Sequence, residues 1–229
     1  MKYSAVIFDL FGTLVENLSD QEYRSVLRHM ASVLSAPTDE FTRLWFDTGN
    51  KRMTGIFPST VANIEYICRE LGVPLEDTKT GLAARIRFDF TARAMTPQAG
   101  AIEVLAYLKS EGYKTGLISG CSSEVPKIWR DTPFAPLIDI AVFSCSAGIS
   151  KPDPRIYQLA TEQLVVAPHK CLYIGDGADK ELTGASQFGM HPVLIRTSDV
   201  YYPHVDWTDR EQWDGPVISS LKDVLTLVE

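Results

Sequence analysis

The stretch from Ala5 to Val15 constrains the fold more than any other part of the chain. Four apolar residues run directly into Asp9, and a glycine turn follows at Gly12. A short, apolar, β-favouring run predicts a strand that is buried on both faces, as in parallel sheets. Asp9 is then expected at the carboxyl edge of the sheet, where open α/β folds bind ligands. A carboxylate buried there needs a partner, because its desolvation is costly unless it is paired or holds a metal.

The rest of the chain divides into two regions of different pattern. Residues 16–95 show helical periodicity and no convincing strand, which predicts a small helical bundle. From residue 96 onward, apolar strands alternate with helices, which is typical of a parallel βαβ sheet. Because the first strand belongs to that sheet, the helical segment interrupts it. The predicted strands cover residues 4–9, 114–118, 138–143, 171–174 and 192–195.

Composition narrows the class of protein. The chain has 229 residues and a formal net charge of −7, which disfavours nucleic acid or an acidic membrane as a partner. Its four cysteines are scattered, which is typical of a reduced protein. No apolar run approaches the length of a membrane span, and no signal-peptide pattern opens the chain. We therefore expect a cytoplasmic monomer or homodimer.

Four polar residues follow predicted strands or open predicted helices: Asp9, Ser119, Lys151 and Asp176. All four are expected at the carboxyl edge of the sheet. Two carboxylates with backbone oxygen and water suit Mg²⁺, which prefers hard oxygen ligands. The lysine and the hydroxyl would hold a bound anion, and an aspartate can carry a phosphoryl group covalently. The sequence thus predicts a metal-assisted phosphoryl site for a small phosphorylated metabolite.

At this point the chain resembles the haloacid dehalogenase-like superfamily of hydrolases. The resemblance rests on four motifs in order, at Phe8–Leu14, Leu117–Ser119, Lys151–Tyr157 and Ile174–Ala185. It implies an α/β, Rossmann-like, doubly wound parallel sheet of about five strands with an inserted α-helical cap of the C1 type. The predicted domains are then a core at 1–15 and 96–229 and a cap at 16–95.

The resemblance also implies a role for each residue that matches a motif. Asp9 is expected to be the nucleophile and a ligand of Mg²⁺, together with the backbone carbonyl of Phe11 and with Asp176. Ser119 and Lys151 are expected to bind the transferring group and to act in catalysis, with Asp176 completing the catalytic set.

Three further positions have supporting roles in this prediction. Gly120 is expected to contact the substrate beside Ser119. Glu181 occupies the place of the last acid of the fourth motif, where it could hold a metal-bound water. Asp179, two residues earlier, competes with it for that role.

Phe11 is the departure that matters most. It stands where phosphatases of the superfamily have a second aspartate as general acid/base, and a phenyl ring transfers no proton. Losing such a group costs about 10²–10⁴-fold in rate, least for leaving groups that need no proton, such as acyl phosphates. The 2-haloacid dehalogenases of the superfamily also lack that aspartate and work without metal, so carbon–halogen cleavage is an alternative. A catalytically weak binding or regulatory domain is another.

Asp176 favours the metal-dependent alternative, because a buried acid facing Asp9 would repel it unless a cation lay between them.

The basic residues of the helical segment have no role in this prediction. Arg85, Arg87 and Arg93 are interpreted as a solvated charged face. Lys51 is the one candidate for a Schiff-base lysine, but its neighbour Arg52 indicates a solvated loop.

Overall fold

A computed structural model of the chain describes residues 2–17, 19–197 and 205–228. Its centre is a single sheet in which every strand pair is parallel. The strands are β1 (Ala5–Phe8), β2 (Lys114–Ser119), β3 (Ile140–Phe143), β4 (Cys171–Gly175), β5 (His191–Ile195) and β6 (Val217–Ile218).

The strand order is β3-β2-β1-β4-β5-β6, so the chain moves outward from β1 to β3 and then crosses back to β4. Ligands of doubly wound sheets bind where the strand order reverses in this way. The reversal lies beside β1, and it brings the residues that follow β1 and β4 to the same edge. The prediction of a doubly wound α/β sheet is confirmed.

The helices form two groups, one between β1 and β2 and the other distributed among the later strands. The first group is α1 (Asp20–Leu34), α2 (Thr38–Asp47), α3 (Gly49–Met53), α4 (Thr60–Glu70) and α5 (Asp77–Ala94). The second is α6 (Ala101–Ser110), α7 (Glu124–Trp129), α8 (Ser144–Ala147), α9 (Pro154–Leu164), α10 (Glu181–Gln187), α11 (Thr208–Gln212) and α12 (Asp223–Val228). Short 3₁₀ helices cover Ala135–Leu137, Pro168–Lys170 and Ala178–Lys180.

Alternate residues of β1 enter two different hydrophobic cores. Val6 and Phe8 pack with residues of α6, α7 and α12 on one face of the sheet. Ala5 and Ile7 pack with residues of α9 and α10 on the other. Because both faces are covered, every residue of β1 is buried, which explains why the strand has no polar alternation.

Residues 20–94, here called the helical insertion, have a hydrophobic core of their own, built around Leu27, Phe41, Trp45 and Ile64. Its contacts with the core domain include those of α5 with α7 and of α3 with α8. Both contacts lie where the chain continues beyond β2 and β3. The helical insertion therefore covers the carboxyl edge of the sheet, and the domain boundaries at 15/16 and 95/96 stay a prediction.

Several short elements were absent from the prediction, among them one strand and the helices α3, α8 and α11. The sheet has a sixth strand, β6, in which Val217 and Ile218 pair with Leu194 and Ile195. Two residues are too few to show the alternation that indicates a strand, and the same limit hides the five-residue helix α3. Among the described residues, no helix combines the length and the apolar character that crossing a membrane requires.

Candidate active site

Asp9 directly follows β1 at the carboxyl edge of the sheet. Its backbone N–H donates to the Ile174 carbonyl at 2.9 Å, which continues the pairing with β4 past the end of the strand. The carboxylate is buried. Burial raises the pKa of Asp9, and the nearby charge of Asp176 raises it further, although Lys151 opposes both effects. Asp9 is thus a desolvated carboxyl group held rigidly by the sheet.

Asp176 follows β4 and approaches Asp9 from the neighbouring strand. The Asn17 amide donates to its Oδ2 at 3.0 Å, and the Ala178 N–H donates to its Oδ1 at 3.1 Å. The loop after β1 passes so close that a Cβ atom at Gly12, where φ is +81°, would lie 2.1 Å from Asp176 Oδ2. Only glycine fits this position. Burial and the charge of Glu181 raise the pKa of Asp176 to about 6.

Glu181 and Lys151 complete the buried group. Lys151 Nζ donates to Asp9 Oδ1 at 2.5 Å and also to Glu181 Oε2. Glu181 accepts two more hydrogen bonds, from the Tyr173 hydroxyl at 2.8 Å and from the Gly177 N–H at 3.0 Å. Burial raises the pKa of Glu181 to about 7. The pKa of Lys151 is well above its usual value, because its two carboxylate partners outweigh the cost of burial.

Asp9, Asp176 and Glu181, here called the acid cluster, each offer a carboxylate oxygen within 4.8 Å of the others. One ammonium group faces these three carboxylates, so their ionised forms leave two negative charges in excess. Burying that excess is costly unless a cation neutralises it. The acid cluster offers hard oxygen donors and carries two uncompensated negative charges. Both properties fit a divalent cation such as Mg²⁺. The pKa of each of the three carboxyl groups is raised by this burial and by the charge of a neighbouring carboxylate.

Ser119 and Gly120 lie at the carboxyl end of β2. Ser119 is the last residue of β2, and its Oγ is fully buried with no hydrogen-bond partner among the described residues. A Cβ atom at Gly120 would lie 3.9 Å from Lys151 Cε. A buried hydroxyl without a partner has hydrogen-bonding capacity for a ligand. Their roles in substrate binding stay a prediction that this placement supports.

Two other predicted site residues, Phe11 and Asp179, have surroundings that differ from those of the acid cluster. Phe11 is half-buried, and its ring packs against the core on the β1 face that carries Phe8. Asp179 is turned toward Asp206: its N–H donates to the Asp206 carbonyl at 2.8 Å, and its Oδ1 accepts from the Asp206 N–H. Asp179 therefore lies outside the acid cluster, whereas Glu181 lies in it. Ligation by the Phe11 carbonyl stays a prediction.

The interpretation of the basic residues is correct for Arg85 and Arg93 but wrong for two others. Arg85 is exposed and pairs with Asp89 at 2.8 Å. Arg87 is buried, because its side chain lies between α5 and α7. Arg52 is buried as well, so it does not belong to a solvated loop. Lys51 is exposed, with its ammonium 5.0 Å from the Tyr66 ring centre, which is no desolvated Schiff-base environment.

Sequence reasoning missed Asn17 and Tyr173 as parts of the site. Asn17 donates to Asp176 from a position 159 residues away in the chain. Tyr173 reads as an ordinary apolar strand residue, although its hydroxyl reaches Glu181. Neither has a local sequence signal, because both act through contacts that exist only in the folded chain.

A parallel α/β sheet that gathers carboxylates, a lysine and a free hydroxyl at its carboxyl edge has the arrangement of an enzyme active site. The chain belongs to the haloacid dehalogenase-like hydrolases: the model of that family matches residues 3–189. It is therefore a hydrolase.

Individual relatives point to two reactions. The glyceraldehyde 3-phosphate phosphatase of Pyrococcus furiosus is 26% identical over 100% of this chain and 94% of its own. The (S)-2-haloacid dehalogenase 4A of Burkholderia cepacia is 27% identical over 83% of this chain and 82% of its own. Among solved structures, a HAD phosphatase from Thermococcus onnurineus matches with a TM-score of 0.65 and 18% identity, covering 98% of this chain and 97% of that one. This last likeness concerns the fold alone.

Proposed function

We propose that the chain is a Mg²⁺-dependent phosphatase that hydrolyses a small phosphorylated metabolite through an aspartyl phosphate on Asp9. The observation that carries the proposal is the placement of Asp176 and Glu181 beside Asp9, with carboxylate oxygens within 4.8 Å of one another. A reaction without a cation would leave this excess of buried negative charge uncompensated. Asp9, Asp176 and the Phe11 carbonyl would hold the metal, and Glu181 would hold a metal-bound water.

Each residue of the site has a separate role in the proposed reaction. Bound Mg²⁺ would supply positive charge beside the transferring group. Asp9 attacks phosphorus, and the bond from phosphorus to the leaving oxygen breaks with its electron pair on that oxygen. The Ser119 hydroxyl donates to a phosphoryl oxygen, and Lys151 offsets the charge that develops. Water then releases phosphate from Asp9 and restores its carboxylate.

Phe11 sets the preference among leaving groups. The first step leaves an oxyanion, and this oxyanion must be protonated when the leaving group is derived from an alcohol. Phe11 offers no proton, whereas the carboxylate released from an acyl phosphate needs none. We therefore propose that acyl phosphates are hydrolysed faster than alkyl phosphates by about 10²-fold or more, the usual contribution of a general acid.

One observation favours a second candidate function. Phe11 at the acid/base position and the relative named as an (S)-2-haloacid dehalogenase are compatible with attack of Asp9 on carbon, with halide as the leaving group. That reaction gives no account of Asp176. A weak binding or regulatory role is a third candidate, and the presence of Asp9, Ser119, Lys151 and Asp176 argues against it.

The deciding experiment offers the purified protein acetyl phosphate, p-nitrophenyl phosphate and 2-chloropropionate, each with Mg²⁺ or with EDTA. We expect phosphate release that EDTA abolishes. Chloride release that is unaffected by EDTA would replace the proposal with the dehalogenase. Inertness toward all three compounds would support the binding role.

Two variants assign the chemistry to residues. Asp9→Asn should lower phosphate release by at least about 10³-fold, because the nucleophile is lost. The control Asp47→Asn removes an exposed carboxylate of the helical insertion that pairs with Arg43, and its activity should equal that of the wild type. Phe11→Asp should raise turnover of an alkyl phosphate by about 10²-fold, because the alkoxide leaving group needs a proton. A folded Phe11→Asp protein without that gain would contradict the account of the leaving group.

A further inference from the structure

Two of the four free cysteines lie beside each other at the carboxyl edge of the sheet. Cys121 comes two residues after Ser119, the last residue of β2, and Cys145 comes two residues after Phe143, the last residue of β3. Ser119 and Phe143 are register partners in these neighbouring parallel strands. Cys121 is buried in the hydrophobic core against which Cys145 packs. Neither thiol takes part in the proposed phosphatase reaction.

The hydroxyl of Ser144 keeps the two chain segments together beyond the ends of the strands. The Cys121 N–H donates to Ser144 Oγ at 2.9 Å, and the Ser144 hydroxyl donates to the Cys121 carbonyl at 3.3 Å. Ser144 is fully buried and directly precedes Cys145. Neighbouring strands lie about 4.8 Å apart, and the Cα atoms of a disulfide lie about 4.4–6.8 Å apart. The spacing of the two segments therefore falls in the range that a disulfide spans.

The two thiols interact directly and differ in reactivity. A hydrogen bond from the Cys121 thiol lowers the pKa of Cys145 to about 7. Burial raises the pKa of Cys121 well above its usual value, and the interaction with Cys145 raises it further. Cys145 is partly exposed, whereas Cys121 is 4% exposed. Because the thiolate is the reactive form of cysteine, Cys145 is an accessible nucleophile and Cys121 is its sheltered partner.

Cys68 and Cys171 provide a contrast within the same chain. Cys68 of α4 is fully buried in the core of the helical insertion. Cys171 of β4 is fully buried in the core on the other face of the sheet. Burial raises the pKa of both thiols, that of Cys171 to about 11. Buried thiols of this kind are inert, so oxidation is expected to begin at Cys145.

We propose that Cys121 and Cys145, here called the thiol pair, are a redox modification site, in which hydrogen peroxide joins them in a disulfide and thereby lowers the activity of the enzyme. The Cys145 thiolate attacks one peroxide oxygen, the O–O bond breaks, and the leaving oxygen takes up a proton and departs as water. The Cys121 sulfur then attacks the sulfenic sulfur of Cys145, and the displaced hydroxide departs as water with the Cys121 proton. Two thiols are thus oxidised to one disulfide, and one peroxide is reduced to two waters.

The thiol pair lies where a new covalent bond would affect the active site. Only Gly120 separates Cys121 from Ser119, whose hydroxyl is expected to hold the phosphoryl group. Beside Cys145, the helical insertion presses on the core, because a Cβ atom at Gly55 would lie 2.2 Å from the Cys145 carbonyl oxygen. A sulfur–sulfur bond is much shorter than a contact between two thiols, so its formation displaces the segment of Ser119, the contact with the insertion, or both. A displacement of about 1 Å can cost about 10²-fold in rate.

The test treats the purified protein with hydrogen peroxide and follows both the thiols and the turnover of acetyl phosphate. Trypsin places each of the four cysteines in a different peptide, so mass spectrometry identifies the residues that become linked. We expect the peptides of Cys121 and Cys145 to be joined, with a mass lower by two hydrogen atoms, while Cys68 and Cys171 stay thiols. The value of kcat/KM should fall by about tenfold or more, and dithiothreitol should restore it.

Variants separate the disulfide from other oxidative damage. Cys145→Ser removes the nucleophile, so this variant should have wild-type activity when reduced and keep it in peroxide. Cys121→Ser removes the partner, so Cys145 should stop at the sulfenic acid, which dimedone labels. Cys68→Ala, at the buried thiol of the helical insertion, is the matched control. It should form the disulfide and lose activity as the wild type does.

Two outcomes of the peroxide treatment would overturn the proposal directly: Cys121 and Cys145 that stay unlinked, and linked protein with unchanged turnover. Equal inactivation of the wild type and Cys145→Ser would do so as well. Formation of the disulfide is independent of the proposed phosphatase function, whereas its effect on turnover rests on that function. If the reduced wild type releases no phosphate, the phosphatase proposal fails, and mass spectrometry still decides whether the disulfide forms. Its effect on the site is then measured with Mg²⁺ and inorganic phosphate, whose shift of the melting temperature oxidation should diminish.

Discussion

The acid cluster of the sheet and two buried arginines of the helical insertion, Arg52 and Arg87, here called the basic pair, place opposite charges in the interior. In the first, three carboxylates surround one ammonium group, that of Lys151. In the second, Arg87 lies 3.8 Å from the buried Glu124, whereas Arg52 bonds neutral groups. The charge excess of the acid cluster fits the divalent cation of the proposed function.

The two groups differ in what holds them. Backbone groups support the acid cluster: the N–H of Ala178 bonds Asp176, the N–H of Gly177 bonds Glu181, and Asp9 extends the β1–β4 pairing. Side chains from five different helices support the basic pair. Rigid backbone suits bond making and breaking, where positions must be held closely.

The largest expected effect on stability comes from removing the Lys151 ammonium group from the acid cluster. Lys151→Met leaves Asp9 and Glu181 buried without their cation, which should lower the free energy of unfolding by about 3–5 kcal/mol in the absence of metal. Added Mg²⁺ should restore part of that loss, because it neutralises the same carboxylates. Urea denaturation with Mg²⁺ or with EDTA measures both effects. Lys109→Met, at an exposed pair with Asp139, should cost less than about 1 kcal/mol.

A Lys151→Met protein that is as stable as the wild type in EDTA would contradict this account. It would mean that the carboxyl groups are neutral in the resting protein and that the ion pairs contribute nothing.

The same contrast explains what could be predicted from sequence. Asp9, Ser119 and Asp176 each follow a strand, and the parallel sheet itself brings strand ends together, so local pattern and topology were sufficient. Arg87 was misread because α5 mixes apolar and charged residues around its circumference, so no face is marked as buried. Its burial depends on the packing of α5 against α7, a contact between residues far apart in sequence. Arg52 lies in α3, which is too short for any periodicity.

Substitution of Gly12 tests how tightly the loop after β1 packs against Asp176 of the acid cluster. Gly12→Ala places a methyl group 2.1 Å from Asp176 Oδ2 at a φ of +81°, so strain and overpacking should together cost roughly 3 kcal/mol or more. Gly72→Ala in the helical insertion is the matched control, since φ there is +66° and nothing lies within 4 Å. It should cost only about 1–2 kcal/mol, for the left-handed backbone alone. Thermal denaturation of both variants checks the difference, and equal losses would show that the close approach to Asp176 has no energetic weight.

The smallest expected effect is the pH dependence of the acid cluster. Burial and mutual repulsion raise the pKa of Asp176 to about 6 and that of Glu181 to about 7. The metal-free native protein therefore binds more protons than the unfolded chain from about pH 4 to pH 7, and its stability falls as pH rises through that window. A bound divalent cation holds these groups ionised, so protons compete with it.

We accordingly expect the apparent affinity for Mg²⁺ to be about tenfold higher near pH 8 than near pH 5.5, as measured by the shift in melting temperature across a metal titration. Asp176→Asn removes one ligand and one source of repulsion, so it should weaken binding and flatten the pH dependence. The basic pair supplies the opposite control, since Arg87→Met/Glu124→Gln changes no group of the acid cluster and should leave the Mg²⁺ titration unchanged at both pH values. A shift in that variant would show that the two groups are coupled through the fold, and that the charge of one is balanced partly by the other.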